Sequence, residues 1–221
     1  MKRKAKARKS HIFAKERHGH YVEPLWTSAR LIEVDDFGPP GSLIYDPSCG
    51  WGHILRSAID AGYRAAGSDI VDRLHRRQLG LNTTRFYKWD FLNGRCPTAA
   101  TIESVICNPP FDHVEAFCER ALRLADYKVA VMCLLRRLPA ARWLRSMPLE
   151  TIYLITPRPS MPPGSWIAAG NKPGGGTQDF VWLVFNKLRS PRSPPVTKWL
   201  TRDANVRGNI SGKHRGGALH A

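Results

Sequence analysis

The fold is decided by one stretch of the sequence, LIYDPSCGWG at residues 43–52. Its apolar start, residues 43–45, predicts a buried strand, and Asp46 with the Pro and Gly residues behind it predicts a tight turn where that strand ends. A helical pattern over residues 54–59 comes next, and a second short strand over residues 64–69 follows at once. Strand, glycine turn, helix and strand in this order are typical of a doubly wound α/β sheet.

The same alternation continues along the chain. Apolar runs predict further strands near residues 84–88, 104–107, 129–135, 151–155 and 180–185, and helical spacing predicts helices over residues 72–79, 114–125 and 139–147. A turn and a short helix, from His20 to about Ile32, precede the first strand, and a Pro/Gly-rich loop over residues 157–178 precedes the last one. We therefore expect a Rossmann-like α/β domain.

The turn after the first strand predicts a nucleoside site. Small residues at this point let a cofactor approach the backbone, and Asp69 closes the second strand about 20 residues on, where a carboxylate can accept both ribose hydroxyls. The chain has no three-glycine phosphate turn and no P-loop ending, which favours a cofactor with a nucleoside and no phosphate. Asp90, after the third strand, is a candidate acceptor for an adenine amine, and it could equally cap a turn.

A second candidate site is Asn108-Pro109-Pro110-Phe111, at the end of the fourth strand. The two prolines have no N–H groups, so their carbonyls can only accept, and Asn108 adds another acceptor. Such acceptors suit a planar amino group on an aromatic ring, and Phe111 offers a face for stacking. Standing alone, the motif would indicate a strand-ending turn with a core Phe.

Together these motifs resemble the class I S-adenosylmethionine-dependent methyltransferases, and among them the small DNA adenine-N6 amino-methyltransferases of phages and prophages with an NPPF motif. The resemblance covers roughly residues 20–186. It implies a seven-stranded, mostly parallel sheet whose last strand is antiparallel, and S-adenosyl-L-methionine as the cofactor. It also implies that Asn108 and the Pro109 carbonyl hold the target amine.

The resemblance also implies the site residues. The catalytic set is Asn108, Pro109, Pro110 and Phe111. Part of the cofactor set comes from an N-terminal segment that looks like the family's own, and the rest follows the strands. The full cofactor set is Tyr21, Pro24, Trp26, Asp46, Pro47, Cys49, Gly50, Gly52, Asp69, Ile70, Asp90, Phe91 and Asn108.

Charge points to a polyanionic partner. The net charge is +16, and residues 1–20 and 187–221 each carry eight Lys or Arg against one acidic residue. We expect residues 1–20 and 187–221 to be basic flexible arms that contact phosphates, flanking a methyltransferase domain at residues 21–186.

Topology predicts further nucleic-acid contacts. If the last strand is antiparallel, the loop over residues 157–178 overhangs the cofactor edge, with a glycine hinge at residues 174–176. We expect five residues of this edge to contact nucleic acid: Arg136, Arg137, Arg158, Trp166 and Lys172. Arg136 and Arg137 could equally be ordinary surface charges.

Cysteine usage and hydropathy bear on metal binding, on the redox compartment and on membrane insertion. The five cysteines show no spacing typical of a zinc site, so we expect no metal. An odd number of cysteines without an apolar signal segment favours a reducing interior, and the resemblance implies the cytoplasm of a bacterial or phage-infected cell. No apolar run approaches the length of a membrane span.

Three alternatives remain open. The chemistry would serve an RNA methyltransferase acting on adenine N6 or guanine N2, or glutamine N5 methylation of a protein. A non-catalytic nucleic-acid-binding protein with the same fold belongs to another class. The gap between Asp90 and Asn108 is too short for a sizeable recognition region, so for DNA we expect a loose sequence preference.

Overall fold

The structure is a computed structural model that describes residues 20–203. The predicted N-terminal arm, apart from His20, lies outside the described residues, and so do residues 204–221 of the predicted C-terminal arm. No helix within the described range is long and apolar enough to cross a membrane.

Eight strands form a single mixed sheet. In chain order they are β1 (Leu43–Asp46), β2 (Arg64–Asp69), β3 (Arg85–Lys88), β4 (Ile102–Cys107), β5 (Ala125–Leu134), β6 (Leu149–Thr156), β7 (Phe180–Asn186) and β8 (Val196–Thr201). Their order in the sheet is β3-β2-β1-β4-β5-β7-β6-β8. β5 begins at Ala125, earlier than the sequence predicts, and is buried over most of its length as a central strand should be.

Strand direction brings the functional segments together. β1 pairs in parallel with β2 and β4, and β2 pairs in parallel with β3. The carboxyl ends of these four strands therefore meet at one edge of the sheet. β7 is antiparallel to both β5 and β6, as predicted for the seventh strand.

Helices and turns cover both faces of the sheet. The helices are α1 (Leu25–Val34), α2 (His53–Asp60), α3 (Val114–Leu124) and α4 (Gly164–Ala168). Residues of α1 and α2, such as Leu31 and Ile54, pack in one apolar cluster with one sheet face. Residues of α3, such as Phe117, pack in a second cluster against the opposite face. The result is an α/β architecture of three layers.

The prediction of seven strands with an antiparallel last strand is wrong in its count. An eighth strand, β8, follows β7 and pairs in parallel with β6, inside the segment assigned to the C-terminal arm. Four of its six residues are exposed, and Leu200 is its one buried residue. An edge strand with a single buried side chain has no alternating apolar pattern, so the sequence did not reveal it.

Two predicted helices do not form. Residues 72–79 are irregular and turn structure, where the Asp72 carboxylate accepts a hydrogen bond from the Leu74 N–H instead of supporting a helix. Residues 139–147 form 3-10 turns that end before Pro148. Proline disfavours helical backbone at the residue before it, and Met147 is extended.

Candidate active site

A cleft of about 510 Å³ opens where the four parallel strands end. Its walls come from the segments that follow these strands, and from residues 20–23, which precede α1. Gly50, after β1, and Pro110, after β4, line the same space. A volume of this size lies within the range of about 300–1,000 Å³ that small-molecule and cofactor sites occupy.

The turn after β1 needs its glycines. Gly50 and Gly52 have φ angles of +46° and +96°, a backbone region that side chains with a Cβ rarely adopt. A Cβ on Gly52 would also lie 2.5 Å from the Leu74 side chain. The turn thus presents its backbone to the cleft, where Pro47, Cys49 and Gly50 line the wall.

Asp69 ties this turn to the end of β2. Its Oδ2 accepts a hydrogen bond from the Gly50 N–H at 3.0 Å, and its Oδ1 accepts one from the Val71 N–H at 3.1 Å. The carboxylate lines the cleft, and burial raises its pKa. Oδ1 also accepts from Arg73 Nη1 at 3.4 Å, so the second lone pair of Oδ2 is the one that remains to accept a hydroxyl group. Ile70, beside it, also lines the cleft.

Asp90 caps a turn, one of the two roles that the sequence suggested, and it is placed where it could serve the other. Its carboxylate accepts hydrogen bonds from the Leu92 N–H at 3.0 Å and from Asn93 Nδ2 at 2.6 Å, which caps the turn, and it also lines the cleft. Phe91 also lines the cleft, although it is almost fully buried, and its ring centroid lies 4.9 Å from that of Phe117.

Four residues of the predicted cofactor set lie behind the wall instead of on it. Asp46 is 1% exposed, and its Oδ1 accepts the Ser48 N–H at 3.0 Å, so it shapes the turn. Gly52 faces the Leu74 and Leu81 side chains. Pro24 caps α1, and Trp26 packs against the core. The sequence motif does not distinguish a residue that builds the wall from one that faces the cleft.

Asn108 is held in one orientation. Its Nδ2 donates to the Tyr21 carbonyl at 3.3 Å and to Glu23 Oε2 at 3.0 Å. Both partners are acceptors, which fixes which end of the amide is which. Its Oδ1 is buried and has no hydrogen-bond partner among the described residues. Asn108 lines the cleft, and a buried oxygen without a partner at such a place marks a polar group that a bound ligand could satisfy.

The remaining motif residues divide in the same way. Pro110 lines the cleft, while Pro109 is buried and does not. Phe111 packs on Phe180, with ring centroids 5.6 Å apart, and stands between the lining residues Pro110 and Asp112. Its ring packs against both apolar clusters and does not line the cleft, so the predicted stacking face is not presented there.

Glu23 is a site residue that sequence reasoning left without a role. It is buried, lines the cleft and receives the Asn108 amide. Burial raises its pKa, an effect that His53 opposes. The pKa of nearby Asp46 is raised mainly by burial, and the negative charges of Glu23 and Asp69 add to that effect. An acidic residue directly before the proline that caps a helix was the available signal in the sequence.

An aromatic group around Trp51 was also missed. The Trp51 ring stacks on His75 with centroids 4.2 Å apart and planes 20° apart. It meets His20 and His53 edge-on, and all but His75 line the cleft. Burial lowers the pKa of His75, which favours the neutral ring in this stack. A single Trp inside a glycine turn gives no sequence sign of these contacts.

None of the five residues predicted to contact nucleic acid lines the cleft. Arg137 donates to the Phe111 carbonyl and to Asp112 Oδ1, both at 2.7 Å, so it holds the motif loop. Arg158 pairs with the Asp179 carboxylate at 2.6 and 3.1 Å. Arg136 and Lys172 are exposed, and Trp166 is half-buried at α4.

The loop over residues 157–178 holds the segment at residues 20–22, which supplies one wall of the cleft. The Val22 N–H donates to the Pro162 carbonyl, and the Gly164 N–H donates to the His20 carbonyl, both at 3.1 Å. These bonds fix the segment that supplies one wall. In the predicted hinge, Gly174 and Gly175 stand in open space, but Gly176 packs against the backbone of Arg158 and Pro159. The hinge therefore comprises at most the first two glycines.

No protein-family model and no curated protein matches the sequence, but solved structures match the fold. A type I restriction-modification methyltransferase subunit from Streptococcus thermophilus matches over 80% of this chain and 47% of its own, at 14% identity and a TM-score of 0.55. The modification subunit of a candidate type I restriction enzyme from Vibrio vulnificus matches over 85% and 48%, at 16% identity and a TM-score of 0.55.

A candidate RNA methyltransferase from Pyrococcus horikoshii matches over 74% of this chain and 81% of its own, at 16% identity and a TM-score of 0.53. The chain spans about half the length of the two restriction subunits. At these identities the likeness concerns the fold. The protein therefore shares the Rossmann-like α/β fold of these methyltransferase structures, with an eighth strand at one edge.

Proposed function

We propose that this protein is an S-adenosylmethionine-dependent methyltransferase that methylates an exocyclic amine of a nucleic-acid base, with adenine N6 in DNA as the preferred target. The observation that carries the proposal is the Asn108 Oδ1 acceptor, buried at the cleft without a partner among the described residues. A neutral amine on an aromatic ring is a good donor to such an oxygen.

The cleft fits a cationic nucleoside cofactor. Asp69 and Asp90 face it with carboxylate oxygens that can accept ribose hydroxyls and an adenine amine. Burial raises the pKa of Glu23 and Asp69 at the cleft wall, because negative charge in this place is poorly solvated. A bound cation would lower that cost. When bound, the cofactor supplies a methyl group on a sulfonium sulfur, which a neutral amine can attack directly.

The protein's own contribution is to position and polarise the amine. Asn108 Oδ1 accepts an amine hydrogen and draws the nitrogen lone pair out of conjugation with the ring. Pro109, whose carbonyl the sequence motif predicted as a second acceptor, lies behind the wall and is given no contact with the amine. As the nitrogen becomes positive in the transition state, Asn108 Oδ1 binds the amine more strongly, and Glu23 keeps the amide turned the right way. The extra proton then leaves to solvent.

The choice of nucleic acid follows from charge. The net charge of +16 favours a polyanion over a protein substrate. A base inside a duplex must first be extruded, at a cost of a few kcal/mol that phosphate contacts from the basic arms would offset. We keep the loose sequence preference and the cytoplasmic location as predictions.

Incubation of the full chain with methyl-labelled cofactor and, separately, duplex DNA, total RNA and protein tests the proposal. We expect label in DNA, recovered as N6-methyladenine after digestion. Label mainly in RNA would move the assignment to an RNA methyltransferase, and label in protein would contradict the nucleic-acid substrate.

The same assay tests Asn108. Asn108→Ala removes the acceptor and should lower kcat by about 100-fold or more, while calorimetry shows cofactor affinity within a few fold of wild type. Unchanged turnover would remove Asn108 from its proposed role.

A further inference from the structure

A large aromatic side chain stands unusually exposed on the eighth strand. Trp199 is 70% exposed, although its neighbour Leu200 is 1% exposed and anchors β8 in the core. β8 is the edge of the sheet and pairs only with β6 among the described strands. The Arg202 N–H donates to the Thr156 carbonyl, and Arg30 Nε donates to the Thr201 carbonyl, so the strand is held in place. Trp199 is therefore presented on a fixed support.

Trp199 extends an apolar strip on one face of the sheet. Side chains alternate along a strand, so Trp199 lies on the opposite face from Leu200. It is in register with Leu154, and both Leu154 and Ile152 are half-buried on that face. We name Ile152, Leu154 and Trp199 the β6–β8 strip. Trp143, in the 3-10 turn 142–146, packs on the same cluster.

Basic residues are frequent in the segment that carries Trp199. Residues 187–202 contain five Lys or Arg and no acidic residue, and none of the five forms an ion pair within the described residues. Lys198 lies over the Tyr153 ring on the opposite face from Trp199, so the cations on the Trp199 face come from the turn at residues 142–146. Arg142 and Arg145, in the turn that carries Trp143, are also exposed. An exposed aromatic ring among cations that lack acidic partners is complementary to stacked bases and phosphates. It would repel a second copy of this basic chain.

The position of β8 suits a substrate that already occupies the cleft. Four strand spacings separate β8 from β4, which is about 19 Å at roughly 4.8 Å each. That is the rise of about five or six bases at roughly 3.4 Å per step. β8 is parallel to β6, so its last residues point to the sheet edge where the cleft opens.

We propose that the β6–β8 strip and its cations bind the nucleic-acid strand that flanks the target, with Trp199 stacking on an unpaired base about five or six positions away. The proposal rests on the nucleic-acid substrate proposed above. It gives the eighth strand a role in holding the substrate, separate from the methyl-transfer cleft.

The test measures the affinity of the full chain for a short fluorescein-labelled single strand, as DNA and as RNA, by anisotropy at low and high salt. Trp199→Ala should weaken binding about 5-fold or more at both salt concentrations, because stacking depends little on ionic strength. Trp199→Phe keeps a stacking face and should restore most of the affinity. Leu188→Ala is the matched control, since Leu188 is 81% exposed in the same basic segment.

Equal affinity of Trp199→Ala and wild type would overturn the proposal. The proposal would also be overturned if wild type sedimented as a dimer and Trp199→Ala as a monomer while the oligonucleotide affinity stayed the same. That result would identify the β6–β8 strip as an interface between copies of the chain. If wild type methylates nucleic acid but Trp199→Ala binds normally, only this inference fails. If wild type methylates no nucleic acid but Trp199→Ala loses binding, the proposed function fails and the binding surface remains.

Discussion

Glu23 Oε2 accepts a hydrogen bond from Asn108 Nδ2 at 3.0 Å, across 85 residues of sequence. The bond holds the Asn108 amide with its oxygen free of partners among the described residues. Glu23 thereby acts as a positioning residue for the group proposed to bind the target amine. A carboxylate serves this purpose well because, when ionised, it can only accept.

Glu23→Gln tests this role. Glutamine can turn its NH₂ group toward Asn108, which would favour rotation of the Asn108 amide and withdraw its oxygen from the amine. We expect kcat to fall by about 100-fold, as for a small misplacement of a reacting group, with little change in the KM for nucleic acid. Glu33→Gln, at the exposed end of α1, is the control and should leave kcat unchanged. A kcat for Glu23→Gln within twofold of wild type would contradict the positioning role.

Arg137 should matter more for turnover than its neighbour Arg136. Arg137 holds the Phe111 carbonyl and Asp112, so Arg137→Ala should loosen the motif loop and lower kcat about 10-fold or more. Cofactor affinity, measured by calorimetry, should stay close to wild type. Arg136→Ala removes an exposed arginine and is the matched variant. Equal kcat values for the two variants would show that the Arg137 bonds do not position the loop.

The buried Asp46 predicts a stability change with pH. Burial raises its pKa well above the ordinary value of 3.8, so the folded state binds this proton more tightly than the unfolded state. Its contribution to stability is therefore lost as pH rises from about 4 through the raised pKa. Asp46→Asn keeps an oxygen for the Ser48 N–H and removes the charge. We expect its free energy of unfolding to exceed that of wild type at pH 8, with the difference shrinking toward pH 4.

Asp72→Asn is the opposite control for that experiment. The hydrogen bond to Arg76 lowers the pKa of the Asp72 carboxyl, so its ionised form stabilises the folded state above the ordinary pKa. Its removal should slightly destabilise the protein at pH 8. Urea unfolding across this pH range measures both variants. If Asp46→Asn and Asp72→Asn shifted the free energy of unfolding in the same direction at pH 8, the burial argument would be contradicted.

Substitution of two glycines can distinguish the cost of steric contact from the cost of backbone strain. Gly52 has a φ of +96° and Gly62 a φ of +86°, but a Cβ would meet Leu74 and Leu81 at Gly52 and nothing within 4 Å at Gly62. Gly62→Ala should lower the free energy of unfolding by about 1–2 kcal/mol, the cost of left-handed backbone. Gly52→Ala should cost about 1–3 kcal/mol more because of overpacking. Equal losses in urea unfolding would show that the leucines move aside freely.

Much of the architecture could be predicted because it depends on local patterns. The apolar run before Asp46 and the one before Asn108 predict parallel strands, and parallel strands bring their carboxyl ends to one edge whatever lies between them. β8 escaped prediction because only Leu200 is buried. The helix predicted from Pro139 does not form because Pro139 falls inside a 3-10 helix that already begins at Leu135, and Pro148 ends the next one by holding Met147 extended.

The sequence by itself determined the chemistry available at the sheet edge: glycines for a turn at positive φ, carboxylates after the strands, and an amide followed by prolines. Only the tertiary structure decided which of these groups face the cleft and which support it from behind. Asp46 and Gly52 support the turn, whereas Glu23 and Trp51 face the cleft. The physical reason is that strand and turn propensities act over a few residues, while contacts such as Glu23 with Asn108 join distant segments through packing of the whole sheet.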